Sequence, residues 1–362
     1  MSTSITPGHS VTTSLRRWRR WHSTWTTGYC WGAGGVYTKY GFRREPFASR
    51  HRIMVGHALA TNASFLKYKG DITNVIGKAS LDMYANSAAP DNTSNFFGVG
   101  NETTYQDLSS PAIRYYRTRY DFIDTQVRLK LMLAKSFSIF AGVAGQYFSM
   151  DPDDNMGRYI NTYEAMQNDP SLFSHKSYLG GVVGYEVDTR NNAMLPIRGF
   201  HWRTTFTEMQ HVQKSESFGQ VRTEMSMYLS FSRFPKVVLA NRVVAGYSIG
   251  DPEFFQMFYM GGDGGLLGYR KNRFAGNSIV YDNFEVRMKL FDFESFLFPG
   301  TVGLIGFNDV GRVWAKGENS SKWHWGYGGG AYLIPAESIV ISGVAGYSEE
   351  GLLPYVNVGF RF

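Results

Sequence analysis

The chain has 362 residues, of which 40 are glycine and 16% aromatic, at a mean hydropathy of -0.27. That mixture is foreign to a soluble enzyme but natural for strands whose two faces meet different solvents, and no run approaches the roughly 18 apolar residues a spanning helix needs. The formal charge of +7 arises before Glu45, where Arg16, Arg17, Arg19, Arg20, Lys39, Arg43 and Arg44 face no acidic residue; the balanced remainder excludes nucleic acid as a partner of the body.

Residues 1–33 form a basic, Trp-rich segment without the apolar core of a signal peptide. They are expected to be an unrelated extension or the trace of a displaced start in a longer parent, the alternative being an arm on the membrane surface. The lone Cys30 excludes an internal disulfide and any multi-thiolate metal site.

From Ala48 onward the dominant signal is alternation with a period of two. Val127, Leu129, Leu131 and Leu133 oppose Gln126, Arg128 and Lys130. The same split sets Val221, Thr223, Met225, Met227 and Leu229 against Arg222, Glu224, Ser226 and Tyr228, and Val286, Met288 and Leu290 against Glu285, Arg287 and Lys289. Charges in the middle of long strands suit a wet lumen facing inward from lipid; a soluble sandwich that turns them to water is the alternative.

About sixteen such segments are expected, at 28–38, 49–61, 62–72, 75–86, 112–121, 122–133, 136–148, 178–188, 197–211, 217–232, 236–249, 277–291, 300–316, 322–334, 336–347 and 353–362. The polar gaps 87–111, 149–177 and 250–276 are expected to be extracellular loops, because outer-membrane barrels keep periplasmic turns short. Tyr115, Tyr116, Tyr120, Phe200, Trp202, Trp314, Trp323 and Trp325 suit interfacial girdles. The last strand sets Val356, Val358, Phe360 and Phe362 on one face and ends on the aromatic, like the C-terminal signal that such barrels present to their assembly machinery. The fold expected over 34–362 is therefore all-β: a transmembrane antiparallel barrel of about 16 strands.

Patterns that mimic catalytic motifs lack their context. Gly246-Tyr247-Ser248-Ile249-Gly250 fits a nucleophile elbow but leads to Asp251-Pro252 instead of a helix. Gly326 to Ala331 fits a loose dinucleotide fingerprint but reads as a glycine-rich strand. Asp151-Pro152-Asp153-Asp154-Asn155 lacks the glycine and glutamate of a calcium loop, and the histidines show no zinc spacing.

One constellation stands out: Gly261-Gly262-Asp263-Gly264-Gly265-Leu266-Leu267-Gly268-Tyr269-Arg270 in the third long loop, Glu285 on the next strand, and Phe307-Asn308-Asp309-Val310-Gly311 on the one after. This pattern resembles the BamA/TamA-like bacterial surface antigen family, in which a (V/L)-R-G-(F/Y) loop tip folds into the lumen and an F-x-D-x-G strand receives it. Asp188-Thr189-Arg190-Asn191-Asn192 with Pro196 to Gly199 resembles that family's D-x-R-(D/N)-N…P-x-x-G hairpin. Asn95 to Thr103 is similar to a loop of the subgroup whose barrel follows a metallophosphoesterase-like periplasmic domain.

The resemblance implies an outer-membrane assembly or translocation barrel without bond chemistry or cofactor. It also implies a lumen-inserted loop and, as partners, outer-membrane lipid, other outer-membrane proteins and a periplasmic domain or lipoprotein. Its site residues would be Gly261, Gly262, Gly268, Tyr269, Arg270 and Arg273 on the loop, Glu285 and Asp309 as receiving acids, Gly311 as the motif glycine, and Phe360 and Phe362 as the assembly signal. The chain departs from the pattern at Leu267, where the family carries its tip arginine. The expected compensation is Arg270, or Arg273, paired with Asp309 and Glu285; ordinary solvated lumen charges are the alternative. Two further readings are the anchor of a phosphoesterase whose catalytic domain is encoded upstream, and a passive pore.

Overall fold

The structure, a computed structural model, describes residues 18–24, 28–41, 44–59, 61–106, 112–232, 236–295, 299–336 and 339–362. Residues 1–17 of the basic N-terminal segment lie outside the described residues. The first eight strands are β1 (Trp18–Thr24), β2 (Gly28–Gly41), β3 (Arg44–Ala58), β4 (Ala63–Ile76), β5 (Ala79–Ala88), β6 (Asp121–Ala134), β7 (Phe137–Ser149) and β8 (Lys176–Asp188). The second eight are β9 (Gly199–His211), β10 (Ser217–Leu229), β11 (Val237–Gly250), β12 (Ser278–Phe293), β13 (Gly300–Trp314), β14 (His324–Pro335), β15 (Ile341–Ser348) and β16 (Gly351–Val358). They form one 16-stranded sheet in which each strand pairs antiparallel with its sequence neighbours. Among the described residues no ladder joins β1 to β16, which leaves a seam between the first and last strands.

The two parities separate as lipid outside and polar lumen inside demand. On β6 Val127 and Leu129 are exposed while Arg128 is buried, and on β12 Met288 and Leu290 are exposed while Glu285 and Arg287 are buried. On β10 Met227 and Leu229 point out, whereas Ser226 and Tyr228 point in. An inverted distribution of this kind would be costly in water, where the apolar parity belongs in the core.

The sixteen strands are not the sixteen segments expected. The segment at 112–121 contributes no barrel strand: Ala112–Arg114 is a 3-10 turn and Arg117–Arg119 pairs with Thr93–Asn95 in a small ladder of its own. Its aromatics explain the difference. Tyr116 is buried against Phe97, Tyr105 and Tyr159, and Tyr120 packs on Phe148 and Phe254, so they bind loops together instead of girdling the membrane. The place lost is taken by β1, formed from the segment expected to lie outside the barrel, with Trp18 paired to Gly34 and Thr24 to Gly28. Trp202, Trp314, Trp323 and Trp325 do remain exposed.

The three long connections, 89–120, 150–175 and 251–277, follow β5, β7 and β11. All three therefore leave the same end of an antiparallel cylinder, the end that such barrels turn outward. They share an apolar core of Phe96, Phe148, Met150, Ile160, Leu172 and Phe254, which includes a short helix, α1 (Tyr159–Gln167), that periodicity did not reveal. At the opposite end the hairpin motif between β8 and β9 is stapled locally. Arg190 grips Asp188 at 2.7 and 3.0 Å, and Asn191 Oδ1 accepts the Ile197 and Arg198 amides at 3.0 Å.

Candidate functional site

The connection 251–277 folds into the lumen. Phe258–Met260 and Phe274–Gly276 form its two-stranded neck, and Met260, Leu266, Tyr269 and Phe274 are buried with Val244, Ile279, Tyr281 and Val313 of β11, β12 and β13. A loop of this length is held inside only if its backbone polar groups find partners away from water, and the lumen wall supplies them. The Leu267 amide donates to Asp309 Oδ2 at 2.8 Å, Asn283 Nδ2 donates to the Gly265 carbonyl at 2.8 Å, and Tyr281 Oη donates to the Gly264 carbonyl at 3.0 Å. On β16, Tyr355 Oη accepts the Gly268 amide at 3.0 Å and donates to the Tyr269 carbonyl at 2.8 Å, while at the end of β15 Ser348 Oγ donates to the Gly268 carbonyl at 2.6 Å.

Two strand glycines make this approach possible. A side chain at Gly326 would overlap the Leu267 carbonyl, and one at the motif glycine Gly311 would sit 2.7 Å from Met260 Sδ. The tip itself turns at Gly262 (φ 77°) and Gly268 (φ 92°), in the left-handed region that glycine enters without strain. Gly261 (φ 117°) closes the turn against the Arg270 carbonyl and the Arg273 backbone.

The cation expected on Asp309 is elsewhere. Arg270 lies 3.4 Å from Glu350, in the turn between β15 and β16, with its guanidinium 3.9 Å over the Tyr105 ring. Arg273 also pairs with Glu350 and donates to Thr103 Oγ1 and O at 2.7 and 2.6 Å. The reason is steric: after the Gly268 turn, Tyr269 enters the core between Phe274 and His324, and the chain beyond it heads back to the outer rim. Burial, with Glu349 and Glu350 nearby, pushes the Tyr269 phenol above its ordinary range.

Arg361 occupies the place left open. Its guanidinium meets Asp309 at 3.2 and 3.0 Å, lies 3.5 Å from Glu285 and donates to the Gly265 carbonyl at 2.8 Å. Its side chain is 6% exposed and that of Asp309 is 0% exposed. Glu285 takes its second cation from Arg287 at 2.8 Å. Leu267 meanwhile fills an apolar wall of Ile305, Phe307, Tyr332, Val340 and Val344. The residue that replaces the tip arginine is thus at home, and the charge it vacated comes from the chain's other end.

This arrangement also corrects the reading of the last strand. β16 ends at Val358, Gly359 turns at φ 111°, and the final residues enter the lumen instead of continuing toward lipid. Phe360 packs under the Arg287 guanidinium at 4.0 Å and on Tyr332, and Phe362 lies 5.0 Å from the Arg242 guanidinium. Alternation alone did not single out Arg361. The signal available was an unmatched acid pair together with an arginine on the polar parity of the strand beside the seam.

Residues 95–103 cap the assembly from outside. Asn95 Nδ2 donates to the Lys271 carbonyl at 3.1 Å, and the Asn101 amide donates to both Glu318 oxygens at 2.9 and 2.7 Å. Asn101 Oδ1 accepts the Val313 amide at 3.0 Å, which ties the first long loop to the outer end of β13.

Comparison with protein families matches residues 51–334 to the Omp85 superfamily domain. Among solved structures the fold is similar to BamA from Haemophilus ducreyi lacking POTRA domains 1-3, at 12% identity and a TM-score of 0.63, with 92% of this chain and 68% of that one covered. It is also similar to CdiB from Escherichia coli, at 14% identity and a TM-score of 0.58, with 92% and 59% covered. CdiB from Acinetobacter baumannii matches at 10% identity and a TM-score of 0.58, with 92% and 57% covered. The chain spans less than two thirds of either CdiB chain. Comparison with curated proteins finds no match.

Proposed function

The chain belongs to the Omp85 superfamily and is an outer-membrane β-barrel, and from that premise we propose that it assembles or translocates other outer-membrane proteins by releasing its lumen loop and opening its β1–β16 seam, without bond chemistry of its own. The observation that carries this reading is the bridge from loop to seam. Tyr355, Ser348 and Arg361, on or beside the last two strands, all hold the tip at Gly265 to Tyr269. A movement of β16 therefore loosens the plug, and a movement of the plug frees β16.

The finer reading places the barrel after a periplasmic metallophosphoesterase-like domain; its support is the Asn95 to Thr103 resemblance. Lipid, client proteins and a periplasmic domain or lipoprotein are the partners this implies.

The test is to reconstitute the chain in lipid vesicles, add a small urea-unfolded outer-membrane barrel, and follow the client's folding by its heat-modifiable gel mobility. Faster client folding than in vesicles holding an unrelated barrel of equal mass is expected. Equal rates would sink the proposal and leave the passive pore, which predicts conductance indifferent to changes at Asp309 or Arg361.

A further inference from the structure

A second region of the lumen, away from the loop tip, has an excess of positive charge around open space. A cavity of about 370 Å³ between β6, β9 and β10 is lined by Gln126, Arg128, Arg203, Arg222, Glu224 and Phe258, with threonines of β9 between them. The Arg128 and Arg203 guanidiniums lie 4.9 and 5.1 Å from the centre of one ring, Phe140, which lies over Gly184. Two like charges on one aromatic ring repel each other and gain little from it unless an anion joins them.

The carboxylates nearby are already engaged or too far. Glu186 is held by Lys130 at 2.6 Å and by His201 at 2.9 Å, and Asp71 pairs with Arg52. Glu224 is shared between Arg222 at 3.6 Å and Arg242 at 3.9 Å. Asp82 makes a long ion pair with Arg128 at 3.9 Å, beyond hydrogen-bond reach, and the other contact of that guanidinium is a long one, to Gln126 Oε1 at 3.5 Å. Arg203 makes no hydrogen bond or ion pair among the described residues. Arg128 is 8% exposed, and its Nε is buried without a hydrogen-bond partner.

Buried guanidinium donors normally find acceptors, and the planar fork of arginine matches the oxygens of a phosphate better than any other side chain does. Three such forks border a cavity that also offers the Gln126 amide and the Thr205 and Thr207 hydroxyls, while the Gln220 amide is already spent on Ser248 and the Gln256 carbonyl.

We propose that this cavity is a binding site for a phosphate group, carried either by a free phosphate or by the headgroup of a phospholipid, and held by Arg128, Arg203 and Arg222. The site adjoins the neck of the lumen loop at Phe258 and touches the tip only indirectly, Arg222 through Tyr281 and Glu224 through Arg242, but it contains neither Asp309 nor Arg361 and operates whether or not the barrel assembles other proteins.

The experiment uses the full chain, folded in a non-ionic detergent, at constant ionic strength set with chloride. Inorganic phosphate is titrated by calorimetry, and micelles doped with phosphatidic acid are titrated in parallel. Saturable binding of at least one probe is expected, weakened about tenfold in Arg203→Gln and again in Arg222→Gln. Both variants are chosen because Arg203 and Arg222 are less buried than Arg128, and their folding is checked by heat-modifiable mobility. Binding of phosphate alone assigns a free anion, and binding of the doped micelle assigns a headgroup. The proposal falls if neither probe saturates up to about 10 mM, or if the folded double variant binds as the parent does.

Discussion

Arg361, one residue from the chain's end, and Asp309, in the middle of β13, form a two-point ion pair inside the lumen at 3.2 and 3.0 Å, 52 positions apart in sequence. Asp309 also accepts the Leu267 amide, so a single carboxylate holds the loop tip and the C-terminal tail together. Removing one member of such a pair strands the other charge, which is costlier than the pair is stabilising.

Asp309→Ala should therefore free the tip. The expected loss of latch stability is roughly 3–5 kcal/mol, and its readout is cleavage by added trypsin at Arg270, Lys271 or Arg273 in the folded, detergent-held barrel. Cleavage no faster than in the parent would mean that Asp309 does not hold the loop.

Arg361→Ala should expose the same sites, because the guanidinium reaches Asp309, Glu285 and the Gly265 carbonyl at once. Combined with Asp309→Ala, the two effects should fall short of their sum by about 1–3 kcal/mol, the coupling expected of residues in one network. Strict additivity in protease protection or thermal unfolding would separate the tail from the latch.

Much of this was legible in the sequence, and the reason for each miss is local. Strand parity follows from solvent on two sides, so the sequence alone turns Val127, Met227 and Met288 outward, where they are exposed. The acids Glu285 and Asp309 and the glycine Gly311 came from the family resemblance, and the physical reason they matter is that a loop entering a lumen needs acceptors and room, as the Leu267 amide on Asp309 and the close approach at Gly311 show. Arg270 was misplaced because nearness in sequence was taken for nearness in space, while the turn at Gly268 and burial of Tyr269 send the chain outward. The segment at 112–121 was misread because aromatic and polar residues alternate there too. What distinguishes it is the loop core that Tyr116 and Tyr120 join, a tertiary fact that no period reveals.

Gly326→Ala tests the latch without touching charge. The added methyl group would overlap the Leu267 carbonyl, and overpacking of this kind costs about 1–3 kcal/mol. The expected result is faster trypsin cleavage of the tip with Arg361 and Asp309 intact. A change at Gly343, where the surroundings are open, should leave cleavage at the parental rate; equal effects at both glycines would point to a general weakening of the sheet.

Tyr355→Phe isolates the link between β16 and the tip. Only the hydroxyl is lost, yet it bridges the Gly268 amide and the Tyr269 carbonyl, so two polar groups of a buried backbone lose their partner together. A neutral hydrogen bond contributes about 1 kcal/mol net and an orphaned buried group costs about 1–3 kcal/mol. Hydrogen exchange at the Gly268 amide should then accelerate by about one to two orders of magnitude, with the exchange of β6 and β7 amides unaltered. Should the Gly268 amide keep its parental protection, the tip does not depend on the strand beside the seam, and the proposed coupling between plug release and seam opening loses its physical basis.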